Sequence, residues 1–289
     1  MSRIVELLKE LAKYEEFKDS KLPGVRFFMT TRQSPREPLI FKPGIFIIAQ
    51  GRKVGYLGDK VFQFDCNNYL VTSIPTPFEC ASYGSPEEPI LGIYIDINMS
   101  TLHELISVLN QGNSDNNSHF NTQLNCLGPA ELDKEMENAV IQLLKCLNND
   151  IEAQILGPGL VKEVLYRALC GNQAPSLYAL AKHNCNFARI SHALNSIHKD
   201  YACKLDVEKL SQLANMSVST FHRVFKEVTS ESPVQYLKKI RLTKAKDLIH
   251  NENKKVYMAA DQVGYESISQ FSREFKRYFG CNPASYIRE

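Results

Sequence analysis

One eight-residue pattern occurs twice near the C-terminal end of this chain. Ser219-Thr-Phe-His-Arg-Val-Phe-Lys226 returns as Ser269-Gln-Phe-Ser-Arg-Glu-Phe-Lys276, offset by 50 residues. Each copy has two phenylalanines four apart, which on a helix stack on one face. Such a pair buries the helix, and the arginine and lysine beside it then face outward. A shorter helical run and a turn precede each copy. Asp206 is a good N-cap for Val207–Ala214, with the turn at Asn215-Met216-Ser217 and a second helix at Val218–Val228. The later unit runs Val256–Val263, Gly264–Ser267 and Ile268–Phe279. Leu210, Leu213, Val218, Phe221 and Phe225 are the expected core of the first unit; Val263, Phe271, Phe275 and Phe279 are that of the second. An apolar-periodic helix, Pro233 to His250, joins them. Two helix-turn-helix units in series predict two helices presented to DNA major grooves, with Arg suited to guanine and Lys to phosphate.

Charge agrees with that placement. Residues 187–289 hold 17 Lys+Arg against 11 Asp+Glu, whereas residues 1–186 hold 17 against 21. The net +2 of the whole chain therefore hides a basic C-terminal third, which points to a polyanion partner for that part only. With 289 residues, 44% hydrophobic and 23% charged, the chain is no disordered polymer and has material for two domains. Eight widely spaced cysteines form no CxxC pair, and the amphipathic start from Met1 to Glu10 carries acids unlike a signal peptide. A cytoplasmic protein with reduced thiols is expected. The cleanest apolar run, Ile45–Ala49, falls far short of the ~18 residues that suggest a membrane helix.

Ahead of the basic third, residues 3–17 have helical spacing through Ile4, Leu7, Leu8 and Leu11. Short β-rich runs follow at Val25–Thr31, Gly44–Gln50, Lys53–Leu57, Lys60–Phe64, Tyr69–Thr72, Phe78–Tyr83 and Leu91–Ile97, with a hairpin turn at Leu57-Gly-Asp-Lys60. Ser100 is a candidate cap for a helix through Leu109, and the Asn-rich stretch 110–125 is expected to be a loop. Gly128-Pro129 is expected to open a helix striped by Leu132, Met136, Val140, Leu143 and Leu147, with Leu144 beside them. That stripe either forms a dimer interface or covers the strands. Gly157-Pro-Gly159 separates it from a helix at Leu160–Cys170, and Gly171–Pro175 is a further break. The domain boundary is placed near residue 185, giving domains 1–185 and 186–289.

Phe187–Glu289 resembles the double helix-turn-helix DNA-binding domain of AraC/XylS transcriptional regulators. The fullest match runs from Ala259 through Asp261-Gln-Val-Gly-Tyr-Glu-Ser-Ile-Ser-Gln-Phe-Ser-Arg-Glu-Phe-Lys276 to Tyr286. The resemblance implies seven helices, with the linker helix holding both recognition helices on one DNA face. It implies base-facing Ser219, His222 and Arg223 in the first, and Ile268, Ser269, Ser272 and Arg273 in the second. Ile268 stands where a polar reader is common and would touch a thymine methyl. Lys226, Lys276 and Arg277 would meet phosphates. The chain departs from the pattern at Thr229-Ser-Glu-Ser-Pro233, which lacks the usual glycine and so leaves the shape of that turn open. Residues 1–185 more loosely resemble the family's N-terminal effector and oligomerisation domains, through Ala49-Gln-Gly-Arg-Lys53, Tyr69-Leu-Val71 and Asp96.

The implied fold is α+β: a cupin-like β-barrel with a helical dimerisation segment, then an all-α double helix-turn-helix domain. The implied function is a sequence-specific DNA-binding transcription regulator, controlled by a small-molecule effector in the barrel. The expected partners are double-stranded DNA, that effector and a second copy of the chain, with RNA polymerase a candidate. No cofactor, metal, enzymatic activity or membrane association is expected. The alternative is a cupin-type binding protein or enzyme with an accessory nucleic-acid module. Cupin enzymes hold a metal with clustered His and a carboxylate. Only His103 and His119 precede residue 183, and both follow the strands. Candidate lining residues are Phe46, Tyr56, Phe62, Phe64, Tyr69, Phe78, Tyr83 and Tyr94, with Arg52 as an anion clamp. Packing is the stronger reading for the aromatics, and a solvent-exposed turn for Arg52. Cys66 and Cys80 are candidate oxidant sensors only with a lowered pKa and exposure. A structural interaction protein is disfavoured by the doubled motif.

Overall fold

The computed structural model describes residues 3–12, 16–112, 126–181 and 186–286. The Asn-rich stretch from residue 113 on, with His119, and the expected boundary at Cys185 lie outside them. The described residues divide into two compact units, the change falling between 181 and 186; Glu37–Ile40 and Pro77–Glu79 group with the second.

The first unit opens with α1 (Arg3–Leu11) and continues through β1 (Glu16–Asp19), β2 (Val25–Thr30), β3 (Ser34–Phe41), β4 (Gly44–Gln50) and β5 (Arg52–Leu57). β6 (Lys60–Phe64), β7 (Asn68–Thr72), β8 (Thr76–Tyr83) and β9 (Ile90–Asp96) complete the run. Then come α2 (Met99–Gly112), β10 (Leu127–Glu131), α3 (Lys134–Cys146), α4 (Asp150–Ile155), α5 (Gly157–Cys170) and α6 (Ala174–Ala181). One sheet has the order β1-β2-β9-β4-β7-β10 and the other β3-β8-β5-β6. The fold is α+β, with two sheets and, among the described residues, no closed ring of strands in place of the implied barrel.

The central strands are buried on both faces. In β4 Gly44 to Ala49 are buried in succession, and in β9 Ile90 to Ile95. On one side α1 packs on β4 and β9 with Ile4, Leu7 and Leu8. On the other, the Phe46 ring meets Phe28, Phe64 and Tyr94 at centroid distances of 5.6, 5.9 and 6.0 Å. Phe46, Phe64, Tyr69, Phe78 and Tyr94 are thus core, as the packing reading has it. Arg36 covers the Tyr56 ring at 4.2 Å, and Phe62 stacks on Phe64 at 6.1 Å. Arg52 is exposed, lying 4.5 Å over the Tyr83 ring at an open cleft of about 580 Å³ that also borders Gln50, Asp65 and Cys66.

Several elements differ from expectation. α1 ends at Leu11 rather than residue 17, and β1 follows instead. β3 carries Pro35 and Pro38, which masked it as a strand; it is an edge strand, where a missing N–H leaves no ladder bond unmade. Gly128-Pro129 lies in β10, another edge, not in a helix. The helix begins at Lys134, capped by Asp133, which accepts the Met136 N–H at 2.7 Å. Asn98, not Ser100, caps α2 by accepting the Thr101 N–H at 3.1 Å. α5 starts at Gly157, with Pro158 in the first turn, where its missing N–H costs nothing. The α3 stripe is also decided. Met136, Val140, Leu143, Leu144 and Leu147 are buried within their own unit, where α3 packs against α1 and α5. The stripe is therefore core, not an open dimerisation face.

The second unit holds α7 (Asn186–Lys199), α8 (Val207–Leu213), α9 (Val218–Thr229), α10 (Pro233–His250), α11 (Val256–Gln262) and α12 (Ile268–Phe279), closed by a 3-10 turn at Pro283–Tyr286. Among the described residues this is six α-helices and a terminal turn, where the resemblance implied seven helices. α10 runs between the two halves, touching α9 on one side and α11 and α12 on the other. Tyr236 packs on Phe225 in the first half; Leu242, Ala245 and Ile249 join Ala259, Val263, Phe271 and Phe275 in the second.

Candidate nucleic-acid interface

Each recognition helix starts at a serine cap. Ser217 accepts the Thr220 N–H and Ser267 the Gln270 N–H, both at 3.3 Å, 50 residues apart. The supporting helices repeat at 49 instead, Val207 to Val256, because the second turn has one more residue. Both turns use the same device after the supporting helix. Asn215 (φ +51°) and Gly264 (φ +85°) take the left-handed conformation. The next N–H then reaches back across the helix end: Met216 to the Ser211 carbonyl at 2.9 Å, Tyr265 to that of Ala260 at 3.0 Å.

Burial then sets the faces. Phe221 and Phe225 have ring centroids 5.4 Å apart at 56°, and Phe271 and Phe275 are 5.4 Å apart at 55°. All four are fully buried. Opposite them, Ser219, His222, Arg223 and Lys226 are exposed on α9. Ile268, Ser269, Arg273, Lys276 and Arg277 are exposed on α12, with Ser272 half-buried. Leu213 and Val218, expected as core, are 47% and 41% exposed. They stand at the last turn of α8 and the first position of α9, outside the stripe that Phe221 and Phe225 define. Val218 recurs as Ile268, 52% exposed, so each recognition helix begins with an outward aliphatic residue.

The two helices differ in charge. Arg223 is engaged by Glu227 at 2.7 Å in an exposed pair, worth no more than ~1 kcal/mol. Position 277 repeats 227 as Arg, so α12 shows Arg273, Lys276 and Arg277 together, and no hydrogen bond or ion pair engages Arg273 among the described residues.

Two anchors escaped sequence reasoning. Arg241 on α10 donates to four carbonyls: Tyr201 at 2.7 Å, Gly264 at 2.9 Å, Ala202 at 3.3 Å and Cys203 at 2.8 Å. It ties the segment before α8 to the second turn. That turn leaves no room for a Cβ at Gly264, which would lie 2.1 Å from the Ala202 carbonyl oxygen. Glu274 on α12 accepts from Lys238 at 3.0 Å, Tyr265 at 2.8 Å and Gln270 at 3.2 Å. Burial alone would raise its carboxyl, but these donors prevail and hold it below the usual range. The repeat held a signal for Glu274, since the equivalent Val224 is apolar and buried. Nothing local marks Arg241, whose partners lie up to 40 residues away.

Elsewhere, no group of three or more His, Cys, Asp or Glu is arranged to hold a metal ion among the described residues. Burial raises the thiol of Cys80 to about 11 and that of Cys126 to about 12, which opposes thiolate chemistry at Cys80; Cys66 is exposed. No helix among the described residues is long and apolar enough to cross a membrane.

Comparison with known proteins adds a family. The family model of the AraC-type transcriptional regulator N-terminus matches residues 21–176, and that of a helix-turn-helix domain matches residues 210–289. Among curated proteins, the RCS-specific HTH-type transcriptional activator RclR of Escherichia coli is 39% identical over 80 residues, 28% of each chain. The HTH-type transcriptional activator RhaS of Escherichia fergusonii is 27% identical over 158 residues, 53% of this chain and 54% of that protein. The chain thus spans between about a quarter and a half of these relatives' length. Among solved structures, ToxT of Vibrio cholerae bound to (E)-4-(8-methylnaphthalen-1-yl)but-3-enoic acid has a TM-score of 0.62 at 14% identity, covering 94% of this chain and 98% of ToxT. At that identity the likeness is one of fold.

Proposed function

The chain belongs to the AraC-type transcriptional regulators, and from that membership we propose that its second unit binds duplex DNA by placing α9 and α12 in successive major grooves. The observation that carries this is the doubled recognition helix. Two phenylalanine pairs in the same geometry turn two polar, basic faces outward at a 50-residue repeat. In this reading Ser219, His222, Arg223, Ile268, Ser269, Ser272 and Arg273 face base edges. Lys226, Lys276 and Arg277 neutralise phosphates, and Val218 joins Ile268 as an apolar contact for thymine methyls.

The first unit, 1–185 in this reading, takes a small-molecule effector and biases the second, 186–289. Membership of the family supports a regulatory role for it, and the ligand-bound ToxT shows that a protein of this fold accommodates an organic acid. The protein works as a homodimer among the cell's DNA, with RNA polymerase as a further partner. The α3 stripe is not the interface, so the dimer contact lies on another face. No observation favours the enzymatic alternative.

The test is a gel-shift titration of the full chain on its operator, found by selection from a random duplex pool. Each neutralised phosphate contributes a slope of about −0.9 in log K against log salt. Three basic contacts therefore predict a slope near −3 per protomer, by the same rule of about −0.9 each. A flat salt response, or no enrichment of any duplex, overturns the proposal.

A further inference from the structure

The two recognition helices carry the same arginine beside different neighbours. Arg223 on α9 and Arg273 on α12 occupy equivalent positions of the 50-residue repeat, and both are exposed. One turn further along the same face, α9 has Glu227 where α12 has Arg277. Glu227 accepts a hydrogen bond from Arg223 Nη1 at 2.7 Å. No other hydrogen bond or ion pair engages Arg223 among the described residues. The guanidinium edge formed by Nε and Nη2 therefore stays open. That edge carries two parallel N–H donors, which is the pattern that guanine O6 and N7 accept. The side chains of Arg223 and Glu227 are 64% and 53% exposed, so a docked duplex can reach both.

In water such a pair contributes little. Docking changes that, because a groove excludes water and raises the cost of any charge left unpaired. A carboxylate brought against DNA meets phosphates of its own sign. It is tolerated there while it holds Arg223, and not once the arginine leaves it for a phosphate. The pair thus closes to Arg223 the contact that needs no particular sequence and leaves it the one that does. It also restrains a flexible side chain before binding, which lowers the ordering cost of the correct contact. α12 has no equivalent restraint. Arg277 places a second cation beside Arg273, and Lys276 makes three exposed basic groups, against Arg223 and Lys226 opposed by Glu227 on α9.

We propose that Glu227 is a positioning residue for base readout. It commits Arg223 to a guanine through the Nε–Nη2 edge and makes α9 the more selective recognition helix, while α12 supplies more of the sequence-independent attraction. The inference rests on the reading of the second unit as a DNA-binding domain and gives its two helices unequal shares of that work.

The test uses the full chain, its selected operator, every single-base variant of that operator, and random duplex as reference. Arg223→Ala first locates the base pair that Arg223 reads, as the position where preference among the four bases collapses. Glu227→Gln keeps the size of the side chain and removes its charge. It is expected to reduce preference at that base pair at least about threefold, the size of an exposed pair's coupling, and to bind random duplex more tightly. Preference at the other base pairs stays as in the wild type. In the Arg223→Ala background, Glu227→Gln still raises affinity for random duplex but moves no base preference. Glu227→Arg, which copies α12, adds a phosphate contact and steepens the slope of log K against log salt by about 0.9. Unchanged preference at the Arg223 base pair in Glu227→Gln overturns the proposal. So does an equal loss at every base pair, or weaker binding to all duplexes, which would make the pair a prop of α9 alone. If Arg223→Ala relaxes no base pair while the wild type keeps its operator and its salt response, Arg223 is a phosphate contact. This inference then falls and the DNA-binding reading stands. Binding to no duplex at all removes that reading and the inference with it.

Discussion

Arg273 and Lys276 stand three apart on the exposed face of α12, yet their chemistry divides their work. A guanidinium forks onto guanine O6 and N7, whereas an ammonium is a point charge suited to phosphate. Arg273→Ala should cost about 1–3 kcal/mol on the operator and relax base preference at one position. Lys276→Ala should weaken operator and random duplex alike. Binding measured on a set of single-base operator variants checks both, and a uniform loss in the two mutants refutes the division. Ser230 shows backbone chemistry at the same scale. It ends α9 at φ +64°, where the repeat puts Gly280 at φ +78° to end α12. The missing glycine in this turn thus leaves its shape unchanged and makes a serine bear the left-handed strain. That conformation costs a non-glycine residue about 1–2 kcal/mol, and glycine gives back about 0.5–1 kcal/mol in unfolded-chain entropy. Ser230→Gly should therefore stabilise the chain by up to about 1 kcal/mol in urea unfolding.

Between elements, what fixes α12 is a set of long-range polar contacts added to the phenylalanine pair. Glu274 joins α12 to Lys238 on α10 and to Tyr265 in the turn. Its carboxyl is held below the ordinary range, so its share of stability is complete above the unfolded value of about 4.3 and is lost as pH falls through the lower folded value. Glu274→Gln should cost about 1.5–3 kcal/mol at neutral pH. Its melting temperature should approach that of the wild type as the medium is acidified. A constant gap down to the lowest pH would show that charge plays no part. In α9 the equivalent Val224 is apolar and buried, so that position makes no such polar link.

For the whole molecule, control requires two arrangements that effector and operator bind unequally. A coupling of about 1–3 kcal/mol, typical of such systems, changes operator affinity about 5–150-fold. Linkage is reciprocal, so saturating operator DNA must change effector affinity by the same factor. Effector titrations with and without operator duplex check this, and unequal factors would mean that a third equilibrium, such as dimerisation, carries the effect.

In the second unit the helices and turns were largely legible in the residues alone. α10 and α12 begin and end at the expected residues, Pro233–His250 and Ile268–Phe279. Their caps, turns and apolar periods are local, and local chemistry is written in neighbouring residues. The strands from β4 to β9 were legible for the same reason. Elsewhere the outcome depended on segments distant in the chain. Periodicity said that the stripe of α3 is covered, and only packing named α1 and α5 as the cover. β3 is a strand because an edge tolerates its prolines, and an edge exists only once the other strands are in place. Lys53 sat in a run that read as an ordinary strand. Its burial against Phe28, on another sheet, arises from a meeting of distant segments that no local pattern encodes.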